Sequence, residues 1–408
     1  MNIALITIGN ELLAGFTVNT NASWIGNHVL TAGGKLVWHQ TIGDTKEEIH
    51  QALTSVPPDC DMVIITGGLG PTHDDVTAVA LYNYVGDSPV FDEAYWDHLK
   101  KRLSKRNMTL PDLNRNQAMR PQKGNIIDNP VGSARGLHFI FDDKHIFSLP
   151  GVPGEMKVMM KSTILPFIEQ NSKKSLWVRT IRTTGIMESA LAEKMDTIVN
   201  DAPKDLTIAF LPQFTGVDVR LISQDKNGIN DVVEQIQSTV GKYIYGFDDD
   251  RLEDTVGKML SKKNLTIATA ESCTGGLIGH RITNVSGSSS YYVGGIVSYS
   301  NDVKENILNV DHDVLEKHGA VSPETAIQMA ENVRKVLNSD LGLSVTGIAG
   351  PTGGTKEKPV GLVYIALSDR NNTMVKEFRF VKDRALNKNA SSQAALNMVR
   401  LYLLSLNK

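Results

Sequence analysis

Ser272 and Cys273 stand side by side in "TIATAESCTGGLIGH", residues 266–280, where an apolar, β-branched run gives way to two glycines and then to helical spacing. A nucleophile at the end of a strand can present its side chain to a pocket. Gly275 and Gly276 let backbone N–H groups approach a ligand at the following turn, where they could hold an oxyanion or a phosphate. A serine needs a base. Two other loops, "SYSNDVK" and "TGIAGPTGG", also follow strand-like runs, and no histidine lies in any of the three. Lys304 does, with Tyr299 nearby. Burial disfavours the charged form of a lysine, and the neutral amine can take a serine proton. Other readings stay open: Ser272 as a helix N-cap, Lys304 as a solvated helix residue, Cys273 as a small packed side chain with no histidine to activate it. "TGIAGPTGG" is either a phosphate cradle or an ordinary glycine-rich turn.

A second constellation is "VIITGGLGPTHDD", 63–75. Gly67, Gly68 and Gly70 permit close backbone approach to a phosphate, and Thr72 offers a hydroxyl. Asp74 and Asp75 are hard oxygen donors for a divalent cation beside a diphosphate, or else helix-start charges complementing the dipole. His73 between them reads as exposed.

The elements that must position these residues fall into three segments. The first, 1–170, alternates strand and helix patterns: "NIALITIG", "NTNASWIGNHVLTAGG", "KLVWHQTIG", "DTKEEIHQALTSV" with an Asp cap, and "CDMVIITGG". This implies an α/β fold with a largely parallel sheet. The second, 171–250, reads βαββαβ, a small α+β unit with no Gly-rich phosphate loop, and suits a spacer or dimerisation module. The third, 251–408, is again α/β, with an antiparallel hairpin near its end. If the strands "LTIATAE", "GGIVSYS" and "LGLSVTG" are parallel, their three polar loops share one carboxyl edge, where open α/β sheets bind ligands.

With 42 basic and 45 acidic residues, the chain lacks the basic excess of a protein built to neutralise nucleic-acid phosphates, and direct nucleic-acid binding is not expected. Two cysteines, Cys60 and Cys273, make neither a disulfide framework nor a zinc site. The start "MNIALITIGNELL" has no basic n-region or cleavage site, and no stretch is long and apolar enough to span a bilayer. The expectation is a reduced, cytoplasmic protein, assembled as a symmetric homodimer on general grounds.

"TAESCTGG", "GGIVSYSNDVK", "GAVSPETA" and "TGIAGPTGGTKEKPVGLVYIAL" together resemble the C-terminal domain of the CinA (competence/damage-inducible) family, in the family's order across most of 252–408. The resemblance implies nicotinamide mononucleotide (NMN) deamidase activity without a metal or other cofactor. Ser272 would be the nucleophile, Lys304 the base and Tyr299 an assisting hydroxyl. Gly275, Gly276, Thr346 and the loop Gly347 to Gly350 would bind substrate. Arg384 in "VKDRALNK" would bind phosphate or carboxylate. The chain departs there from the family, with Lys382 for a glycine and Lys388 for an arginine. The implied mechanism has N–H groups near Cys273 to Gly276 hold the oxyanion, ammonia leave, and water release nicotinate mononucleotide.

"ITIGNELLAGFTVNTNASWIG", "IITGGLGPTHDD", "NPVGSARGLHF" and "SLPGVPGEM" resemble the same family's N-terminal domain over about 1–168, which has a molybdopterin-binding-like fold. That resemblance implies ADP-ribose pyrophosphatase activity with a divalent cation, cobalt or magnesium, and potassium. It implies phosphate contacts from Gly67, Gly68, Gly70, Thr72 and Asn129, metal contacts from Asp74, Asp75 and Glu155, and further contacts from Glu11 and Asn21. Arg135 replaces a proline common in the family and would add a phosphate contact or be exposed. The middle segment resembles the family's KH-like domain, without a GxxG clamp. The rival expectations are a molybdopterin-binding protein and a non-catalytic accessory of competence or DNA damage.

Overall fold

The computed structural model describes residues 1–105, 107–172, 176–381 and 383–406. The chain divides into two compact units, Met1–Trp177 and Val178–Lys408.

The first unit is built on a six-stranded sheet. Its strands are β1 (Asn2–Ile8), β2 (Lys35–Ile42), β3 (Met62–Thr66), β6 (Asn125–Ile127), β7 (Gly136–Phe141) and β8 (Lys144–Leu149), in the order β2-β1-β3-β8-β7-β6. β4 (Val90–Phe91) and β5 (Met119–Arg120) form a separate small ribbon. β2, β1, β3 and β8 run parallel, while β7 and β6 add antiparallel. "NIALITI" is an unbroken apolar run because both faces of its strand are covered. Ile3 and Leu5 pack with helices Thr20–Thr31 and Pro153–Met159 on one side. Ala4 and Ile6 pack with helices Lys46–Thr54 and Thr77–Val85 on the other. One expectation needs correcting. The cap of helix Lys46–Thr54 is Thr45, whose hydroxyl accepts the Glu48 N–H, and Asp44 instead accepts the Asn10 N–H across the sheet edge.

On the β7–β8 hairpin, His138 Nε2 lies 3.0 Å from His145 Nδ1, and the His138 ring stacks on Phe147 at 4.2 Å. Burial, then the neighbouring His145, push His138 down to about 4. A histidine whose folded pKa lies below its unfolded value stabilises the fold above about pH 6.5, and loses that contribution as pH falls toward the folded value. Urea midpoints of the wild-type first unit should therefore fall between pH 7 and pH 4.5, and fall less in His138→Phe. Equal pH slopes in the two proteins would refute this.

The second unit carries two sheets. The smaller comprises β9 (Trp177–Thr183), β10 (Thr207–Gln213), β11 (Gly216–Ser223) and β12 (Ile244–Phe247), in the order β10-β11-β9-β12, with helices Glu188–Asn200 and Lys226–Val240 closing its core. The βαββαβ order is as expected. The larger comprises β13 (Ile267–Glu271), β14 (Tyr292–Val297), β15 (Leu341–Gly347), β16 (Leu362–Ser368) and β17 (Thr373–Arg379), in the order β14-β13-β15-β16-β17. β14, β13 and β15 are parallel, so the three polar loops do leave one edge of the sheet. The 22-residue helix Arg384–Ser405 packs on this sheet, and its Arg400 reaches into the smaller module. That guanidinium is 2% exposed, and it donates to Ile244 O at 2.9 Å, Lys242 O at 2.6 Å and Asn397 Oδ1 at 3.0 Å.

Candidate active site

Pairing of β13 with β14 and β15 sets the three loops side by side. Glu271 ends β13. Ser272 follows, its own N–H bonded to Val345 O of β15. Ser298, just past β14, donates its N–H to Glu271 O at 2.8 Å. Ser300 then caps the short helix Asn301–Asn306 by accepting the Val303 N–H, and this winds Lys304 back toward β13. Lys304 is 1% exposed. Its Nζ donates to Ser298 O at 2.7 Å and to Ser272 Oγ at 3.3 Å. The solvated-helix reading of Lys304 is therefore wrong. No carboxylate pairs with Lys304 among the described residues, and burial pushes its pKa below the usual lysine value. That is the condition for a neutral amine able to take a hydroxyl proton.

Ser272 is not a helix N-cap; Gly276, at φ 92°, occupies that place for helix Leu277–Thr283. Cys273 packs in the core cluster of the large sheet, and burial pushes its thiol up to about 12, which leaves it inert. The turn differs from expectation in one respect. The Gly276, Ile278 and Gly279 N–H groups all donate to the Glu271 carboxylate, at 3.0, 3.1 and 2.8 Å, and the Gly275 N–H donates to Ser272 O. Those amides cannot also hold an oxyanion. Among the described residues, no oxygen accepts the N–H of Cys273 or Thr274, which leaves these two amides as the turn's candidate anion donors. Glu271 is the residue that sequence reasoning missed. Its signal was a carboxylate placed directly before a glycine-bearing helix start.

The other expected substrate contacts are only partly brought together. Thr346 is fully buried, and its hydroxyl donates to Ala320 O at 2.6 Å, so its side chain braces the loop and does not face a ligand. A Cβ at Gly347 would lie 2.6 Å from Val363 Cγ2, which makes that glycine a packing requirement. Gly350 turns at φ 85°, and its carbonyl accepts Arg384 Nη1 at 2.9 Å. Arg384 Nη2 donates to the Tyr299 hydroxyl at 2.7 Å. Tyr299 is 61% exposed and makes no hydrogen bond to Ser272 or Lys304, so it lies at the rim with Arg384 and not beside the pair. Lys388 Nζ lies 3.6 Å from where a Cβ of Gly275 would stand. Lys382 lies outside the described residues.

In the first unit, a cavity of about 420 Å³ gathers Glu11, Asp44, the 67–71 loop, Asp74, Asp75 and Glu155. The roles within it need several corrections. A Cβ at Gly67 would meet Ile8 O at 2.3 Å, and one at Gly68 would meet Thr77 Oγ1 at 2.2 Å, so both glycines serve the chain's own packing. Gly70 gives room to the Asp75 carboxylate, which accepts both the N–H and the hydroxyl of Thr72, at 2.8 and 2.5 Å. Asn129 is no phosphate contact. Its amide donates to Ala134 O and Glu155 Oε2, and its carbonyl accepts the Val131 and Gly132 N–H groups, which fills its capacity. Arg135 is neither exposed nor in the cavity: it pairs with Asp92 at 2.8 Å and lies 3.8 Å over the Tyr95 ring. Among the described residues no three His, Cys, Asp or Glu side chains converge as a ready-made metal cage, so Asp74, Asp75 and Glu155 are not a preformed ligand set. Asp44 was missed because it read as a cap. Its pKa is raised by burial, and further by Glu11, Asp74 and Asp75.

The fold and the two sites define a class: a molybdopterin-binding-like α/β unit, a small KH-like module, and an α/β domain with a buried serine–lysine pair at its carboxyl edge. Family models match the chain accordingly. A probable molybdopterin binding domain matches 4–170, the damage-inducible protein CinA KH domain 178–246, and the CinA C-terminal domain 249–403. A CinA-like protein of Salinibacter ruber is 40% identical, with 99% of this chain and all of that one covered. One of Syntrophomonas wolfei is 39% identical over 98% of each. The crystal structure of the competence/damage inducible protein CihA from Agrobacterium tumefaciens is 40% identical over 38% of this chain and 94% of that one, with a TM-score of 0.36. The chain belongs to the CinA family. No helix among the described residues is long and apolar enough to cross a membrane.

Proposed function

We propose that the C-terminal domain is a serine–lysine amidohydrolase that deamidates NMN. The observation that carries this reading is the Lys304 amine, buried without a carboxylate partner and 3.3 Å from Ser272 Oγ. Ser272 attacks the carboxamide carbon while Lys304 takes its proton. The Cys273 and Thr274 N–H groups meet the oxyanion. Lys304 returns the proton to the leaving nitrogen, ammonia departs, and water, deprotonated by the same amine, cleaves the acyl-enzyme to nicotinate mononucleotide. Arg384, at the rim with Tyr299, suits the anionic end of the substrate.

The carboxylate-lined cavity favours a second activity, hydrolysis of ADP-ribose to AMP and ribose 5-phosphate. Its donors are hard carboxylate oxygens gathered in one cavity, which fits a divalent cation in charge and donor type. Glu11, Asp44, Asp74, Asp75 and Glu155 are the residues that would hold one, and potassium would assist. Bound there, the cation would neutralise diphosphate charge. Asp44 and Asp75, each already accepting a backbone N–H, keep the cavity's loops in place. The reading extends to a cytoplasmic homodimer recycling two breakdown products of pyridine nucleotides.

The deciding assay is ammonia release from NMN by the full chain with chelator present, beside AMP release from ADP-ribose with and without cobalt or magnesium. Ammonia that survives chelation, with AMP that does not, is the expected pattern. No ammonia would remove the deamidase reading. Binding of a pterin without hydrolysis of ADP-ribose would assign the first unit to molybdopterin chemistry.

A further inference from the structure

Ser298 is fully buried, and among the described residues its hydroxyl has no hydrogen-bond partner. A buried polar group without a partner is costly, and a native site that keeps one calls for an explanation. Its place is specific. The Ser298 N–H is fixed to Glu271 O, one residue before the nucleophile, and its carbonyl accepts Lys304 Nζ at 2.7 Å. The hydroxyl therefore belongs to the very residue that grips the base.

A count of donors shows what it is for. A neutral lysine amine has two N–H groups and a lone pair, whereas the ammonium has three N–H groups. In the resting site one N–H serves Ser298 O, and the amine meets Ser272 Oγ. Once Lys304 has taken the Ser272 proton, that new N–H faces the serine oxygen and then the leaving nitrogen, one N–H stays on Ser298 O, and the remaining one, without an acceptor in the neutral amine as well, now belongs to a cation. An N–H of a cation left without an acceptor costs more than one of a neutral amine. Resting on the Ser–Lys reading above, we propose that Ser298 is a positioning residue whose hydroxyl turns about χ1 to accept the third N–H of the Lys304 ammonium formed during the reaction. Side chains exchange between staggered rotamers on such a turn. The hydroxyl is idle in the resting site and engaged only when charge has developed, and such interactions lower a barrier without tightening ground-state binding. Around Lys304 the titratable groups are the Ser272 hydroxyl and the Cys273 thiol, and Cys273 in turn has Glu271 and Arg384 beside it. Tyr299 is held at the rim by Arg384 and leaves this role open.

The test uses the full chain as wild type, Ser298→Ala and Ser298→Thr. It measures ammonia release from NMN against pH and the titration of Lys304 itself by NMR of 13C-labelled lysine, with the resonance assigned from Lys304→Gln. In Ser298→Ala we expect kcat to fall about 10- to 100-fold, as for loss of a hydrogen bond to a charged group, with KM within about twofold. The Lys304 midpoint and the acidic limb of kcat should move down by about one unit, because the ammonium has lost an acceptor. The thermal midpoint should not fall, since the hydroxyl contributes nothing to the resting fold. Ser298→Thr should restore both rate and midpoint. An unchanged Lys304 midpoint in Ser298→Ala, or a threonine variant no better than alanine, overturns the proposal. If the wild type releases no ammonia, the deamidase reading fails on its own, and the NMR midpoints still decide the role of Ser298.

Discussion

Ser272→Ala and Lys304→Ala each lower ammonia release from NMN by about 10³-fold or more, whereas Cys273→Ala stays within about tenfold of wild type. The asymmetry follows from the geometry. Removing the Ser272 hydroxyl removes the atom that bonds to carbon. Removing the Lys304 amine leaves that hydroxyl without a base, because among the described residues no histidine or carboxylate hydrogen-bonds to it, and the neighbouring Glu271 carboxylate is committed to three backbone amides. Cys273 contributes its backbone N–H, which survives the substitution, and a small buried side chain whose loss costs about 1–2 kcal/mol of stability. A double variant lacking both Ser272 and Lys304 side chains should be no slower than either single one, as for residues acting as a unit. Kinetics of the purified variants, with circular dichroism as the control for folding, check this. A Cys273→Ala variant as slow as Ser272→Ala would move the nucleophile to the thiol.

Glu271→Gln destabilises the second unit by about 2–4 kcal/mol and lowers ammonia release by about 100-fold. The carboxylate is 2% exposed, with Oε2 accepting the Gly276 and Ile278 N–H groups and Oε1 accepting that of Gly279. A glutamine of the same shape has one oxygen, so its NH2 group must face at least one amide donor. The helix start Leu277–Thr283 then shifts, and with it the turn that carries the Cys273 and Thr274 amides. KM should change less than kcat, because the altered donors meet charge that exists only in the transition state. Urea midpoints and steady-state kinetics measure the two effects. A fully active, fully stable glutamine variant would mean that the carboxylate does not position the turn.

The strand-to-loop logic of the C-terminal domain was legible in the residues themselves. β-branched runs ending in polar loops placed Ser272 and Lys304 at one edge, and the parallel pairing of β13, β14 and β15 brings them within hydrogen-bonding distance. What sequence could not carry was the allocation of hydrogen bonds. Glu271, Asn129 and Thr346 look alike in type to ligand-binding residues, yet Glu271 and Thr346 are spent on the backbone and Asn129 on the backbone and Glu155, and only the folded structure shows where a polar atom's partners lie. Arg135 follows the same rule: an arginine in a glycine-rich loop reads as an anion contact until Asp92 is found beneath it. In the first unit the element pattern was equally clear. The carboxylates come from separate turns, and linear spacing could not tell that Asp44 joins the cavity.

Arg400 gives the middle module a thermodynamic partner. Its guanidinium is buried against the carbonyls of Ile244 and Lys242, and among the described residues no carboxylate pairs with it. Melting the small sheet alone would strand a cation and two carbonyls, so neither part of the second unit can lose its structure cheaply while the other keeps it. Calorimetry of the full chain should therefore resolve two unfolding events and not three, with Arg400→Met splitting the second. What reads along the chain as a spacer behaves, in energetic terms, as a flank of the C-terminal α/β domain, and a truncation placed between residues 247 and 252 would cut through one cooperative body.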